Sequence, residues 1–80
     1  MSQPIIQPAD RKLYHDFGDR LQIARKHLGW TQAEFAAQLR VSPTSYCQCE
    51  RGNANPSLPL LRNLKKWTGR SVDWFLGLES

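Results

Sequence analysis

Cysteine is scarce: this 80-residue chain has two, Cys47 and Cys49. Two thiols cannot staple a secreted scaffold of this size, and no apolar run of signal-peptide type follows Met1. Long hydrophobic runs are missing, so no bilayer-spanning helix is predicted. The pattern also lacks strand-type alternation, internal repeats and low-complexity tracts. Acidic charge is short, with seven Asp and Glu against eleven Lys and Arg and a net charge of +4. These gaps predict a cytoplasmic all-α domain with reduced thiols and no contact with membranes. Its basic balance suits either a polyanionic partner or a plain solvated surface. So short a chain leaves little room for a substrate pocket of ordinary size, so neither an enzyme nor a cofactor is predicted.

What is present is a run of five helices. "MSQPIIQPA" carries two prolines and no helical period, which predicts a mobile tail over residues 1–9 ahead of a domain spanning 10–80. Asp10 can cap a first helix over 10–28, whose buried face would hold Leu13, Phe17, Leu21, Ala24 and Leu28. "TQAE" has the capping-box spacing, with Thr31 as N-cap of a helix over 31–39 that buries Phe35, Ala36 and Leu39. Ser42 can cap a third helix over 43–51, with Pro43 at the first position, where a missing N–H costs nothing. Ser57 opens a fourth helix over 57–68, where Leu58, Leu61 and Leu64 form the apolar stripe. "SVDWFL" is a last short helix over 71–76, closed by Gly77.

The two cysteines do not pair in this arrangement. Residues two apart on a helix point about 200° away from each other, so Cys47 and Cys49 share neither a small metal nor an unstrained disulfide. Cys49 stands three after Tyr46 on the inward face, where a free thiol acts as a small hydrophobe. Cys47 falls outward with Thr44, Gln48 and Arg51. His15 and His27 supply no common zinc spacing, so no metal site is predicted. Neither histidine has a carboxylate or serine placed to make it catalytic.

Two short capped helices joined by "LRVS", the second presenting Thr, Gln and Arg outward, read as a helix-turn-helix. From Phe17 to Gly77 the chain resembles the phage repressor and Cro type of helix-turn-helix domain, the lambda-repressor-like fold. "FGDRL", "ARKHLGWTQAEFAAQL", "VS", "ERG" followed by "NP", "PSL" and "SVDWFLG" carry the resemblance. It implies that the third helix enters a major groove and that Pro43, Thr44, Cys47 and Gln48 meet base edges. It places Gln32, Ser45, Arg51 and Asn53 at phosphates, and Arg25 with Glu50 in an internal ion pair. The chemistry agrees, since Gln bonds adenine edges while Thr and Cys suit a thymine methyl. Arg40 stands where the family prefers glycine, which predicts a left-handed backbone there. Thr68 replaces a large apolar residue, which predicts a less well anchored fourth helix.

The function these expectations describe is a DNA-binding transcriptional regulator, a small repressor of phage or mobile-element type docking on a palindromic operator in double-stranded DNA. A one-domain homodimer would draw its contacts from the last helix, with Trp74, Phe75 and Leu78. An antitoxin-like module that binds a partner protein as well as DNA is the alternative from another class. Cytoplasmic, nucleoid-associated localisation follows from either.

Overall fold

Four of the five helices start on a hydroxyl that accepts a backbone N–H. In a computed structural model the backbone is described over residues 8–78 and the side chains over 12–78. It contains α1 (Pro8–Leu28), α2 (Gln32–Leu39), α3 (Pro43–Glu50), α4 (Leu58–Thr68) and α5 (Val72–Phe75), and no strand among the described residues. Thr31 Oγ1 accepts from the Glu34 N–H at 3.1 Å, and Glu34 Oε1 accepts from the Thr31 N–H at 2.8 Å, which completes the capping box. Ser42, Ser57 and Ser71 accept from the N–H groups of Ser45, Leu60 and Trp74. Such a cap stabilises a helix by about 1 kcal/mol, which matters most for α2, α3 and α5, too short to persist alone.

The first helix departs from the expected start. It opens at Pro8, a residue suited to a first helical position, so Asp10 lies within its first turn instead of ahead of it. Residues 1–7 of the expected tail lie outside the described residues.

Between α2 and α3 the chain turns on Arg40, at φ 61° and ψ 41°, the one non-glycine residue with positive φ among the described residues. Its N–H and that of Val41 satisfy the last carbonyls of α2, those of Ala36 and Ala37. The left-handed turn expected from the sequence is present, and arginine bears its steric cost.

The core lies among the five helices: α1 and α2 pack on the inward face of α3, α4 packs on α2, and α5 packs on α1 and α4. Phe17, Leu21, Phe35, Leu39, Tyr46 and Phe75 are fully buried. Phe35 packs edge-on to Tyr46 at 5.6 Å between ring centroids, and Phe17 meets Phe75 at 6.0 Å. Leu13 and Leu28, expected on the buried stripe of α1, remain more than a third exposed. At 1.5 Å per residue α1 runs about 30 Å against about 12 Å for α3, so its ends overshoot their partners.

The stripe of α4 also differs from expectation. Leu60 and Leu64, one turn apart, are buried and Leu61 is half-buried, whereas Leu58 is 80% exposed. Leu58 precedes Leu60 by two positions, about 200° around the axis, so burying Leu60 turns Leu58 outward. Two polar contacts hold the outer helices. Asn63 Nδ2 donates to the Leu39 carbonyl at 3.0 Å, and Arg20 Nη1 donates to the Trp74 carbonyl at 2.9 Å. Thr68 is half-buried, its hydroxyl donating to the Leu64 carbonyl and accepting from the Arg70 N–H, so the last turn of α4 is closed by hydrogen bonds.

Candidate nucleic-acid interface

Gly18 sets how closely α3 approaches α1. A Cβ at this position would lie 2.3 Å from the Glu50 carbonyl oxygen and 2.8 Å from that of Cys49, so the two backbones touch where only glycine fits. Seven residues later, on the same face of α1, Arg25 reaches the Glu50 side chain.

Glu50 gathers donors from three helices. Arg25 Nε donates to Glu50 Oε2 at 2.7 Å, the Tyr46 hydroxyl donates to the same oxygen, and Gln32 Nε2 donates to Oε1 at 3.0 Å. Arg25 also donates through Nη1 to the Trp30 carbonyl at 2.9 Å. The Arg25 and Glu50 side chains are 12% and 5% exposed. Burial alone pushes the Glu50 carboxyl up, but the hydrogen bonds from Arg25, Tyr46 and Gln32 outweigh it and hold the group below the ordinary carboxylate range. The hydrogen bond to Glu50 raises Arg25 against the opposing effect of burial. Burial and the neighbouring carboxylate drive the Tyr46 hydroxyl far above its ordinary value, so it remains a donor at every physiological pH. Burial likewise raises the Cys49 thiol.

This cluster also orients Gln32. A carboxylate only accepts, so the amide nitrogen of Gln32 must face Glu50 and its carbonyl must face the other way. There it accepts from the Cys47 thiol at 3.4 Å.

With its inner side anchored, α3 presents the opposite side outward. Pro43, Thr44, Ser45 and Arg51 are exposed, while Gln48 and Cys47 are half-buried. Cys47, expected to be freely exposed, is partly covered because α2 lies alongside and Gln32 reaches it. Asn53 is exposed, and its Nδ2 donates to Gln48 Oε1 at 3.4 Å. Ser45 is tied into the start of α3, its N–H and hydroxyl both bonded to the Ser42 hydroxyl. Thr44 and Gln48 border a groove of about 390 Å³ whose far wall includes Asn55 and Ser57. No acidic residue stands in the first turn of α3, so the positive end of its dipole is not neutralised from within that turn.

The residues expected at the last helix divide. Phe75 is fully buried against Phe17 and has no surface to offer a second copy, which removes it from any dimer contact. It is one position, about 100° of rotation, from Trp74, and α1 takes the phenyl ring into the core. Trp74 is half-buried beneath the guanidinium groups of Arg20 and Arg70, at 5.1 and 4.2 Å from its ring centroid. Leu78 is 72% exposed.

Sequence reasoning missed Tyr46 as a ligand of Glu50 and Gly18 as the contact point of α1 and α3. Both left a signal. Tyr46 and Glu50 stand four apart on one helix face, and a glycine inside a helical pattern marks close packing.

Among the described residues no helix is long and apolar enough to cross a membrane. Neither a curated protein nor a solved structure matches the chain. A family model, described as a helix-turn-helix domain, matches residues 16–73, from the third turn of α1 into α5. With α2 and α3 joined by a three-residue turn and α3 turned outward inside that match, the chain belongs to the helix-turn-helix family of DNA-binding domains.

Proposed function

We propose that the chain is a sequence-specific transcriptional regulator of phage repressor and Cro type, acting as a homodimer that represses from a palindromic operator. The observation that carries this reading is the division of α3. One side is locked to α1 and α2 through Glu50, and the other projects Thr44 and Gln48 with no competing carboxylate in its first turn. In this reading Thr44 and Gln48 meet base edges, Gln48 through its amide and Thr44 through its methyl. Pro43 brings no donor and reads its step by shape or by contact with a thymine methyl. Cys47 meets the same groove from beside Gln32. Gln32, Ser45, Arg51 and Asn53 grip phosphates around that helix, where neutral donors and helix N-termini set register and Arg51 adds charge. The dimer seam draws on Leu78 and the half-buried Trp74.

Titration of variants on operator and scrambled duplexes at several salt concentrations tests the assignment. Operator and half-site spacing come first, from selecting bound duplexes out of a random library. Gln48→Ala should then cost about 1 to 3 kcal/mol on the operator and relax one base pair per half-site. Arg51→Ala should weaken both duplexes alike and make the salt slope shallower by about one unit for each phosphate that Arg51 neutralises. Equal losses on both DNAs for Gln48→Ala would remove α3 as the sequence reader.

A further inference from the structure

A second concavity shares no lining residue with α3. It lies between the end of α2, the outer side of α4 and the start of α5, and encloses about 1150 Å³. Part of its lining is apolar: Leu58 is 80% exposed, Trp67 is 40% exposed and Leu61 is half-buried. Trp67 packs edge-on against Trp30, with ring centroids 5.6 Å apart. The same lining includes Arg40, Arg62 and Lys66, all exposed and none paired with a carboxylate among the described residues. No acidic residue lines the groove. Two leucines and an indole thus share this groove with three cations that no carboxylate pairs among the described residues.

We infer that this groove docks an acidic amphipathic segment of another protein, with leucine-sized side chains seated on Leu58, Leu61 and Trp67 and carboxylates flanking them toward Arg40, Arg62 and Lys66. Charge and surface chemistry select this occupant. A second copy docking groove to groove would bring the same three cations against themselves, because a two-fold contact repeats each patch on its partner. A DNA backbone would satisfy the cations, yet its charged, hydrated phosphates would bury none of the apolar surface of Leu58, Leu61 and Trp67. An apolar stripe edged with Asp and Glu satisfies both halves of the surface, in the manner of a helix laid into a groove. Because the groove avoids α3, such a segment and a duplex could be held together, which would let a partner protein be brought to the operator.

The test selects displayed random peptides of about 16 residues, four to five helical turns, on the immobilised full chain, with Leu58→Ser/Arg62→Glu/Lys66→Glu as the counter-selecting surface. All three positions are exposed, and a thermal melt by circular dichroism confirms that the variant folds. The selected pool should be acidic, with Leu, Ile or Phe at three- and four-residue spacing. Its members should bind Leu58→Ser and Arg62→Glu/Lys66→Glu each at least about tenfold more weakly than the parent chain. Leu58→Ser should leave duplex affinity unchanged. A neutral or basic pool, or no enrichment over the counter-selecting surface, overturns the inference. Loss of self-association in Leu58→Ser by sedimentation would assign the groove to a second copy. Loss of duplex affinity in that variant would assign it to DNA.

Discussion

On the inner side of α3, Tyr46, Cys49 and Glu50 are packed against α1 and α2, and no buried polar side-chain atom among the described residues lacks a partner. On the outer side, Pro43 and Thr44 touch little and Gln48 is half-covered. One eight-residue helix therefore does two jobs with separate residues. The inner side fixes the helix in place, and the outer side is left for whatever approaches. The contrast teaches that stability and recognition should respond to different substitutions only a residue or two apart.

The largest expected effect is on the inner side. Glu50→Ala leaves the Arg25 guanidinium buried without its carboxylate and strands the Tyr46 hydroxyl, at a cost of about 3 to 5 kcal/mol. Chemical denaturation of the variant measures this, and an unchanged midpoint would show that the ion pair does not anchor α3. The same group predicts a pH dependence. The folded Glu50 titrates below its unfolded range, near 4.5, so its contribution is complete above that range and is lost as pH falls through the lower folded value. The acid limb of the stability curve should be shallower in Glu50→Ala than in the parent chain.

Gly18→Ala comes next. The added methyl meets backbone carbonyls that cannot swing aside, which should cost about 1 to 3 kcal/mol even after the gain in helix propensity. A neutral substitution would mean that α1 and α3 can separate freely, and the rigid inner side would lose its basis.

A smaller change of opposite sign is expected at the turn. Arg40→Gly relieves a left-handed arginine and should stabilise by about 0.5 to 1 kcal/mol, read as a rise in melting temperature. A fall would reveal a compensating contact of the arginine side chain.

The cysteines test the comparison without altering stability. A bulky thiol reagent should modify half-buried Cys47 well before Cys49, which is buried and has a raised pKa. Bound duplex should slow the reaction at Cys47 further if the outer side of α3 lies against DNA. Equal rates at the two thiols would erase the distinction between the faces.

Much of the fold was legible because helix starts are local chemistry. Thr31, Ser42, Ser57 and Ser71 each reach an N–H three residues ahead, and that spacing is written in the chain. The left-handed turn at Arg40 was legible through the resemblance instead, because the family prefers glycine at that position. Within the candidate interface, the outward set on α3 follows from helical period once Tyr46 and Cys49 are inside. The bonding of Gln32 did not follow. The resemblance placed it at a phosphate, and only the approach of α3 brings Glu50 and Cys47 within reach of it.

Where two neighbouring residues had equal claims to the core, sequence alone could not choose. Leu58 and Leu60 both belong to leucine stripes that include the same region of α4, and Trp74 and Phe75 are adjacent aromatics on a four-residue helix. Hydrophobicity ranks such neighbours almost alike, and a helix can rotate to bury either. The choice fell to the partners: α1 supplies Phe17 for Phe75, and the packing that buries Leu60 and Leu64 leaves Leu58 lining an open groove. Caps, turns and helical period depend on atoms a few residues apart, so the chain determined them by itself. Which side of each helix became core, which polar groups met at Glu50 and which apolar surface stayed open depend on atoms distant in sequence, and tertiary packing alone decided them.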